Sequence, residues 1–365
     1  MSAVFQEVVI RSTSFRNRIW VPPMCQYMSP DGLPESWHFR HYGTLSMGPG
    51  AVMVEATAVS PYARVTPFDL VLDANTPLNS YAALAKEIAA GGAVPGIQLS
   101  HAGRKGSRSR PWEGDQPIAL GQGGWNLLAP SPIPFGSGYV CPDEMSEVQV
   151  LETIREFSES AQVAERAGFK IIEIHAAHGR LIHSFISPVA NERKDRFGGD
   201  EQGRFLLPVL LARALRAALS ETTIVAFRLS CVDWVENGID IEMTVRLAQM
   251  LAREGVDLID CSSGGIRRPQ QKKTGPGYQV PFASRVRMAG LATAAVGEIT
   301  TLEEAEAILE SGSADVIMMG RKLLGDPLYL VREMASQGAA DCVPPPYRRG
   351  LRTPAIKPTE HIPEL

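Results

Sequence analysis

The sequence predicts an α/β fold, a single-domain (β/α)8 TIM barrel with a long loop after its third strand and an extended C-terminal tail. Two observations carry this. Eight short, nearly continuous apolar runs recur along the 365 residues, and such runs suit strands buried on both faces of a parallel sheet. Helical stretches lie between most of them. That alternation builds either a closed barrel or a doubly wound open sheet, and eight strands favour the barrel. At roughly 150 residues per domain the length leaves two or three domains open, but α/β barrels run longer as one unit.

In order, the runs are RIWVPPM (18–24), AVMVEATAV (51–59), VPGIQLS (94–100), KIIEIHAAH (170–178), TIVAFRLS (223–230), LIDCSS (258–263), LATAAVG (291–297) and DVIMMG (315–320). The helix expected over 146–168 opens with a capping box, Ser146 with Gln149. It places Val150, Ile154, Phe157, Ala161 and Ala164 on one face and ends at Gly168. A second box, Thr301 with Glu304, opens a helix that stops at Gly312. The Gly/Pro/Trp-rich stretch 101–142 is too long for a structureless connector and reads as a lid or binding loop. From Cys342 the chain is Pro-rich and expected to be extended. The division is therefore a barrel over 1–340 and a tail over 341–365 that is either disordered or lies across a neighbouring subunit.

Composition narrows the function classes. A chain 44% hydrophobic and 21% charged is ordinary for a globular protein and excludes collagenous or disordered sequences. A net charge of −4 argues against nucleic acid as the main partner. The five cysteines are scattered with no C-x-x-C pair, so no disulfide framework, metal site or iron–sulfur cluster is signalled. With no signal-peptide pattern and no apolar run near the roughly 18 residues of a membrane span, a cytoplasmic setting is expected. Two basic stretches stand out, Arg104–Arg110 and Arg267–Lys273. They read either as solvated loops or, because they follow strands three and six, as part of the active face, where cations attract an anionic group.

In a barrel the strand C-terminal ends form the active face. They present Pro22-Pro23-Met24-Cys25-Gln26-Tyr27, Glu55-Ala56-Thr57, Gln98 to His101, His175-Ala176-Ala177-His178, Arg228, Ser262 to Gly265, Gly297, and Gly320-Arg321. No lysine or carboxylate pair of an aldolase or isomerase is evident there. Glycines closing strands seven and eight, beside an arginine, match the phosphate site such barrels build. His175 and His178 can share one cavity only if the chain turns, which Gly179 permits. Two imidazoles serve as zinc ligands, acid–base groups or neutral donors. Without further ligands, the strand-end position favours donors to a carbonyl oxygen or anion. Gln98 and Arg228 suit the polar edge of a flat heterocycle, and a flat ring with a phosphate suggests FMN.

VPPMCQY, EATAV, QLSHAGRK, EIHAAHG, ISPVANERKDRFGG and MMGRKLL together resemble the Old Yellow Enzyme family of FMN-dependent ene-reductases. The similarity is greatest to its bacterial branch with a cysteine beside the flavin, which includes xenobiotic reductases, and it spans about Arg16 to Pro327. The resemblance implies noncovalent FMN, reduction by NADPH or NADH, and hydride transfer from flavin N5 to the β-carbon of an activated alkene (enone, enal, maleimide or nitroalkene). It assigns Pro23, Met24, Ala56, Gln98 and Arg228 to the ring and Gly297, Gly320 and Arg321 to the phosphate end. Cys25 would tune the flavin and touch substrate, and Tyr27 would lie over the substrate face. His175 and His178 would grip the substrate oxygen. Arg349 would reach into the neighbouring subunit's site, which implies a homodimer or higher homo-oligomer.

One position departs from the pattern. Where the family has a tyrosine that protonates the α-carbon, this chain has Arg180. A guanidinium is a poor proton donor at neutral pH. Either protonation comes from water, Tyr27 or a neighbour, or Arg180 binds a carboxylate or phosphate of a specialised substrate. The alternatives are isomerisation or desaturation of an anionic substrate, and a flavoprotein with little ene-reductase turnover.

Overall fold

The structure is a computed structural model that describes residues 2–337 and 343–351. The chain opens with an antiparallel hairpin, β1 (Val8–Ile10) and β2 (Thr13–Phe15). Then come β3 (Ile19–Val21), α1 (Ser36–Leu45), β4 (Ala51–Ala58), α2 (Leu78–Ala90) and β5 (Val94–Ser100). After β5 lie the short β6 (Leu128–Ala129) and β7 (Asp143–Glu144), followed by α3 (Glu147–Arg166), β8 (Ile171–Ala176), α4 (Leu181–Ile186) and α5 (Glu201–Ala218). The alternation continues through β9 (Ile224–Ser230), α6 (Ile241–Arg253), β10 (Leu258–Ser262), α7 (Val280–Arg287), β11 (Ala292–Val296), α8 (Leu302–Glu310) and β12 (Val316–Met318). Helices α9 (Arg321–Gly325), α10 (Tyr329–Ser336) and α11 (Pro345–Leu351) follow.

Strands β3, β4, β5, β8, β9, β10, β11 and β12 form one closed barrel, with β12 pairing back onto β3. Each expected apolar run is one of these strands, and every pairing between them is parallel. Both capping boxes form: Gln149 N–H donates to Ser146 Oγ at 3.3 Å, and Glu304 N–H to Thr301 Oγ1 at 3.2 Å. The stretch 101–142 is folded, with short 3-10 turns and β6 paired in parallel with β7. Against the expected extended tail, Pro345–Leu351 is helical. Prolines are tolerated in a first helical turn, where their missing N–H has no partner to lose. Residues 338–342, Cys342 among them, and 352–365 lie outside the described residues, so most of the expected tail is not described.

Two apolar layers hold the barrel. Outside, the apolar face of α3 (Val150, Phe157, Ala161, Ala164) is buried with the strands' outward residues such as Ile97, Ile172 and Ile174. Inside, at the strands' N-terminal end, Phe15 from the hairpin packs on Trp20 with ring centroids 4.6 Å apart. Ile10, Met53, Ile171, Ile224, Leu258 and Met318 surround that pair. The hairpin thus plugs the bottom and leaves the opposite end open. No helix among the described residues is long and apolar enough to cross a membrane.

Phe15→Ala removes a fully buried ring from this plug, and large-to-small changes of that kind cost about 3–5 kcal/mol. Chemical denaturation should show a loss of that size, and a change below ~1 kcal/mol would contradict the role of the plug.

Candidate functional site

Register decides which side chains share the barrel interior. Gln98 on β5 lies beside Glu173 on β8, and Arg228 on β9 lies between His175 on β8 and Asp260 on β10. Gln98 Nε2 donates to Glu173 Oε1 at 2.6 Å, and Arg228 Nε is ion-paired with Asp260 Oδ2 at 3.1 Å. Burial pushes the Glu173 carboxyl up to about 8, with Asp260 adding and Arg228 opposing. Burial also raises Asp260. The two acids lie one layer below the strand ends, on strands separated by β9. Each sits two residues below a mouth residue on the same strand face, below His175 and Ser262 respectively, where alternation turns both inward.

Above this layer the chain turns sharply. His178 has φ 57° and Gly179 has φ 72°, so the turn begins one residue earlier than the glycine alone suggests. A Cβ on Gly179 would stand 2.2 Å from the carbonyl oxygen of Gly265, so nothing larger than glycine fits. Gly179 N–H donates to His183 Nδ1 at 2.8 Å, which leaves the His183 proton on Nε2, 2.9 Å from Asp233 Oδ1. His178 N–H donates to Ser230 Oγ at 2.9 Å. The turn sets the two histidine rings edge to face, centroids 5.2 Å apart. Ser262 Oγ holds His178 Nε2 at 2.7 Å, while His175 Nδ1 is buried without a partner. Burial pushes both imidazoles well below their ordinary pKa, with Arg180 and Arg228 the next cause for His175 and Arg228 for His178. The pair therefore offers neutral N–H groups.

Beside the pair opens a cavity of about 610 Å³. Pro23, Met24, His178, Arg228, Gly297, Gly320 and Arg321 all line it, so most of the expected cofactor residues converge. Gly297 and Gly320 wall one end of it, where a Cβ would approach Tyr278 to 3.0 Å and Pro22 to 3.2 Å respectively. Lys272, Arg321 and Lys322 bring three cations to that end. Arg321 makes only a surface contact with Glu298 at 3.3 Å. An apolar floor, a glycine-walled end with cations, and Asp260 Oδ1 buried inside without a hydrogen-bond partner fit a flat heterocycle carrying a phosphate. Ala56 and Gln98, paired across β4 and β5, are buried next to the interior acids and do not line the cavity itself.

Cys25, Tyr27 and Arg180 form a second group at the mouth. Tyr27 holds a left-handed backbone with φ 53°, and its ring meets Trp112 of the long loop at 6.0 Å. Burial pushes the Cys25 thiol up to about 12, with Glu55 adding and Arg180 opposing. The Tyr27 hydroxyl is raised by Cys25 and by burial. Both stay protonated at neutral pH. Arg349 is exposed on α11, whose neighbour Arg348 lines a groove with Gly91 and Gly92 at the barrel's N-terminal end. It does not reach this chain's own mouth.

The basic stretch 104–110 is not a solvated loop. Arg104 is fully buried, donating to Ile133 O at 2.9 Å and Ile266 O at 2.6 Å. Lys105 Nζ donates to His178 O at 2.8 Å and lies 4.1 Å from the Phe135 ring, while Arg108 pairs with Asp115 at 2.7 Å. These cations tie the long loop to the histidine turn instead of facing solvent to attract phosphate. In the second stretch Arg267, Arg268 and Lys273 are exposed and Lys272 lines the cavity. The sequence places Ser262 on the active face by position but without its partner His178, while Glu173, Asp260 and the His183–Asp233 contact have no local signal of their role. Among the described residues no group of three or more His, Cys, Asp or Glu could hold a metal ion.

Residues 3–339 match the family described as NADH:flavin oxidoreductase / NADH oxidase. An NADPH dehydrogenase of Bacillus subtilis is 39% identical, covering 95% of this chain and 98% of the relative. Among solved structures, a morphinone reductase superposes with a TM-score of 0.77 at 23% identity, covering 93% of this chain and 90% of the other. The old yellow enzyme from Trypanosoma cruzi gives 0.76 at 20%, covering 92% of each chain. At these identities the two structures speak for the fold.

Because both imidazoles lose their protons well below pH 6.5, lowering the pH from 8 to 6 leaves them uncharged. Nitrogen-15 NMR of the histidine side chains should show neutral rings at pH 6 for His175 and His178, whereas a titration midpoint near 6.5 would contradict the site's electrostatics.

Proposed function

The chain belongs to the NADH:flavin oxidoreductase / NADH oxidase family, that of Old Yellow Enzyme, and on that premise we propose that it reduces activated alkenes. It is an FMN-dependent NAD(P)H oxidoreductase. FMN, when bound, supplies the two-electron chemistry between the nicotinamide and the alkene. Pro23, Met24, Ala56, Gln98 and Arg228 would hold its ring, and Gly297, Gly320 and Arg321 its phosphate.

One observation carries the reading. Two neutral imidazoles meet at 5.2 Å, His178 lining the cavity and His175 beside it with a buried Nδ1 that has no partner among the described residues. Two preorganised N–H donors aimed at a carbonyl or nitro oxygen draw electron density from the conjugated double bond. They make its β-carbon electrophilic and stabilise the enolate that develops. A cationic imidazolium would grip the oxygen too, but at the cost of burying charge among Arg180, Arg228 and Lys105. Cys25, kept as a thiol, packs against the substrate side without acting as a nucleophile. A guanidinium is a poor general acid at neutral pH, so position 180 does not take the family tyrosine's role. Tyr27, the neutral O–H at the mouth, or solvent water protonates the α-carbon. Arg349, exposed on α11, would complete the site of a second copy in a homodimer.

Incubation of the FMN-bound protein with NADPH and 2-cyclohexenone should yield cyclohexanone with matching NADPH loss. NADPH oxidation that never consumes the enone would overturn the proposal. Arg180→Tyr should speed the alkene half-reaction by about 10-fold or more, since a positioned general acid contributes roughly 10²–10⁴-fold. It should leave reduction by NADPH unchanged, and rapid mixing separates the two. No acceleration would mean that the proton already has an efficient route.

A further inference from the structure

We propose that Arg180 is an anion-recognition residue and that the substrate is an activated alkene carrying a carboxylate at the end remote from the carbonyl held by His175 and His178. The inference rests on the alkene-reductase reading above and names the substrate class of that site.

Arg180 stands at the N-terminus of α4, directly after the histidine turn. Its Nε and Nη1 are buried with no hydrogen-bond partner. Arg104, Arg108, Arg193 and Arg228, the other buried or nearly buried guanidiniums around the mouth, each engage an acceptor: the Ile266 carbonyl, Asp115, Asp195 and Asp260. Arg180 as a whole is half-buried, but two buried guanidinium nitrogens left unpaired are costly, and the cost is removed when a planar anion takes the fork. Among the described residues none supplies such an anion. Cys25 and Tyr27, which feel the Arg180 charge, are held protonated. Lys105 brings a donor, already turned to His178 O. Asp69, the acid whose carboxyl Arg180 influences, has its oxygens filled by Val65 N–H at 2.7 Å, Thr66 N–H at 3.0 Å and Thr66 Oγ1 at 2.7 Å.

The cofactor is not the missing partner either. The cavity that fits it is lined by Arg228, Lys272, Arg321 and Lys322, and Arg180 is not among its walls. Arg180 belongs to the substrate side, with His175, Cys25 and Tyr27. An alkene with a neutral carbonyl on one carbon and a carboxylate on the other meets both demands. The histidines take the carbonyl, and the guanidinium takes the carboxylate in the bidentate geometry it favours over a point cation.

The test compares monomethyl fumarate with its neutral analogue dimethyl fumarate, titrated anaerobically into the oxidised FMN-bound protein without NADPH and followed by the flavin absorbance shift. The monoanion is expected to bind at least ~10-fold more tightly. Arg180→Gln should collapse that preference to near unity, Arg180→Lys should keep only part of it, and Arg268→Gln, which alters an exposed neighbouring charge, should retain it. Equal binding of the two probes by the unaltered protein overturns the proposal even if a variant fails to fold. So does a preference that survives Arg180→Gln or disappears with Arg268→Gln. Mixing with NADPH-reduced protein separates the two levels. If dimethyl fumarate is reduced and the monoanion is not preferred, the anion site fails and the reductase stands. If the monoanion binds through Arg180 and neither probe is reduced, the reductase reading fails and the anion site stands.

Discussion

The reversal of the chain at His178 and Gly179 is the constraint on which the mouth of this barrel depends. Without it the second histidine would follow the strand direction away from the first. Neighbours from four parts of the chain pin it. Ser230 accepts from His178 N–H, Lys105 donates to His178 O, His183 accepts from Gly179 N–H, and Gly265 packs so closely that no side chain fits at Gly179. Arg180 follows directly, so the donor pair and the guanidinium are placed by one turn. Moving any of these neighbours would displace both groups at once.

Electrostatics at the mouth is consistent with that geometry. Arg228, Arg180 and Lys105 all disfavour a charged His175. The cations that suit an anionic ligand therefore keep the imidazole neutral, as a donor to a carbonyl oxygen should be. Inside the barrel the charges are matched locally, Arg228 with Asp260. Glu173, pushed up to about 8 by burial, is largely protonated at neutral pH and shares its hydrogen bond with Gln98. Arg180, half-buried, keeps two buried guanidinium nitrogens for which no described residue supplies an acceptor.

All eight strands were legible because each is a nearly continuous apolar run, and buried parallel strands have little else to display. The cavity residues were legible from strand-end position and from family motifs. Glu173 and Asp260 were legible in principle, since a charged residue two places before a mouth residue must face the same interior. The basic stretch 104–110 misleads because charge in a sequence carries no depth: Arg104 is buried by carbonyls from two distant loops. The contact of His183 with Asp233 joins residues from separate βα units, and no local pattern announces it.

The central claim is that His175 and His178 serve the alkene half of the reaction and not the nicotinamide half. Anaerobic spectrophotometry of the FMN-bound protein and of its His175→Ala/His178→Ala variant separates the two. NADPH should bleach the flavin absorbance of both, and 2-cyclohexenone should restore it in the unaltered protein while the variant recovers about 100-fold more slowly or not at all. Recovery of the variant at the unaltered rate would contradict the account.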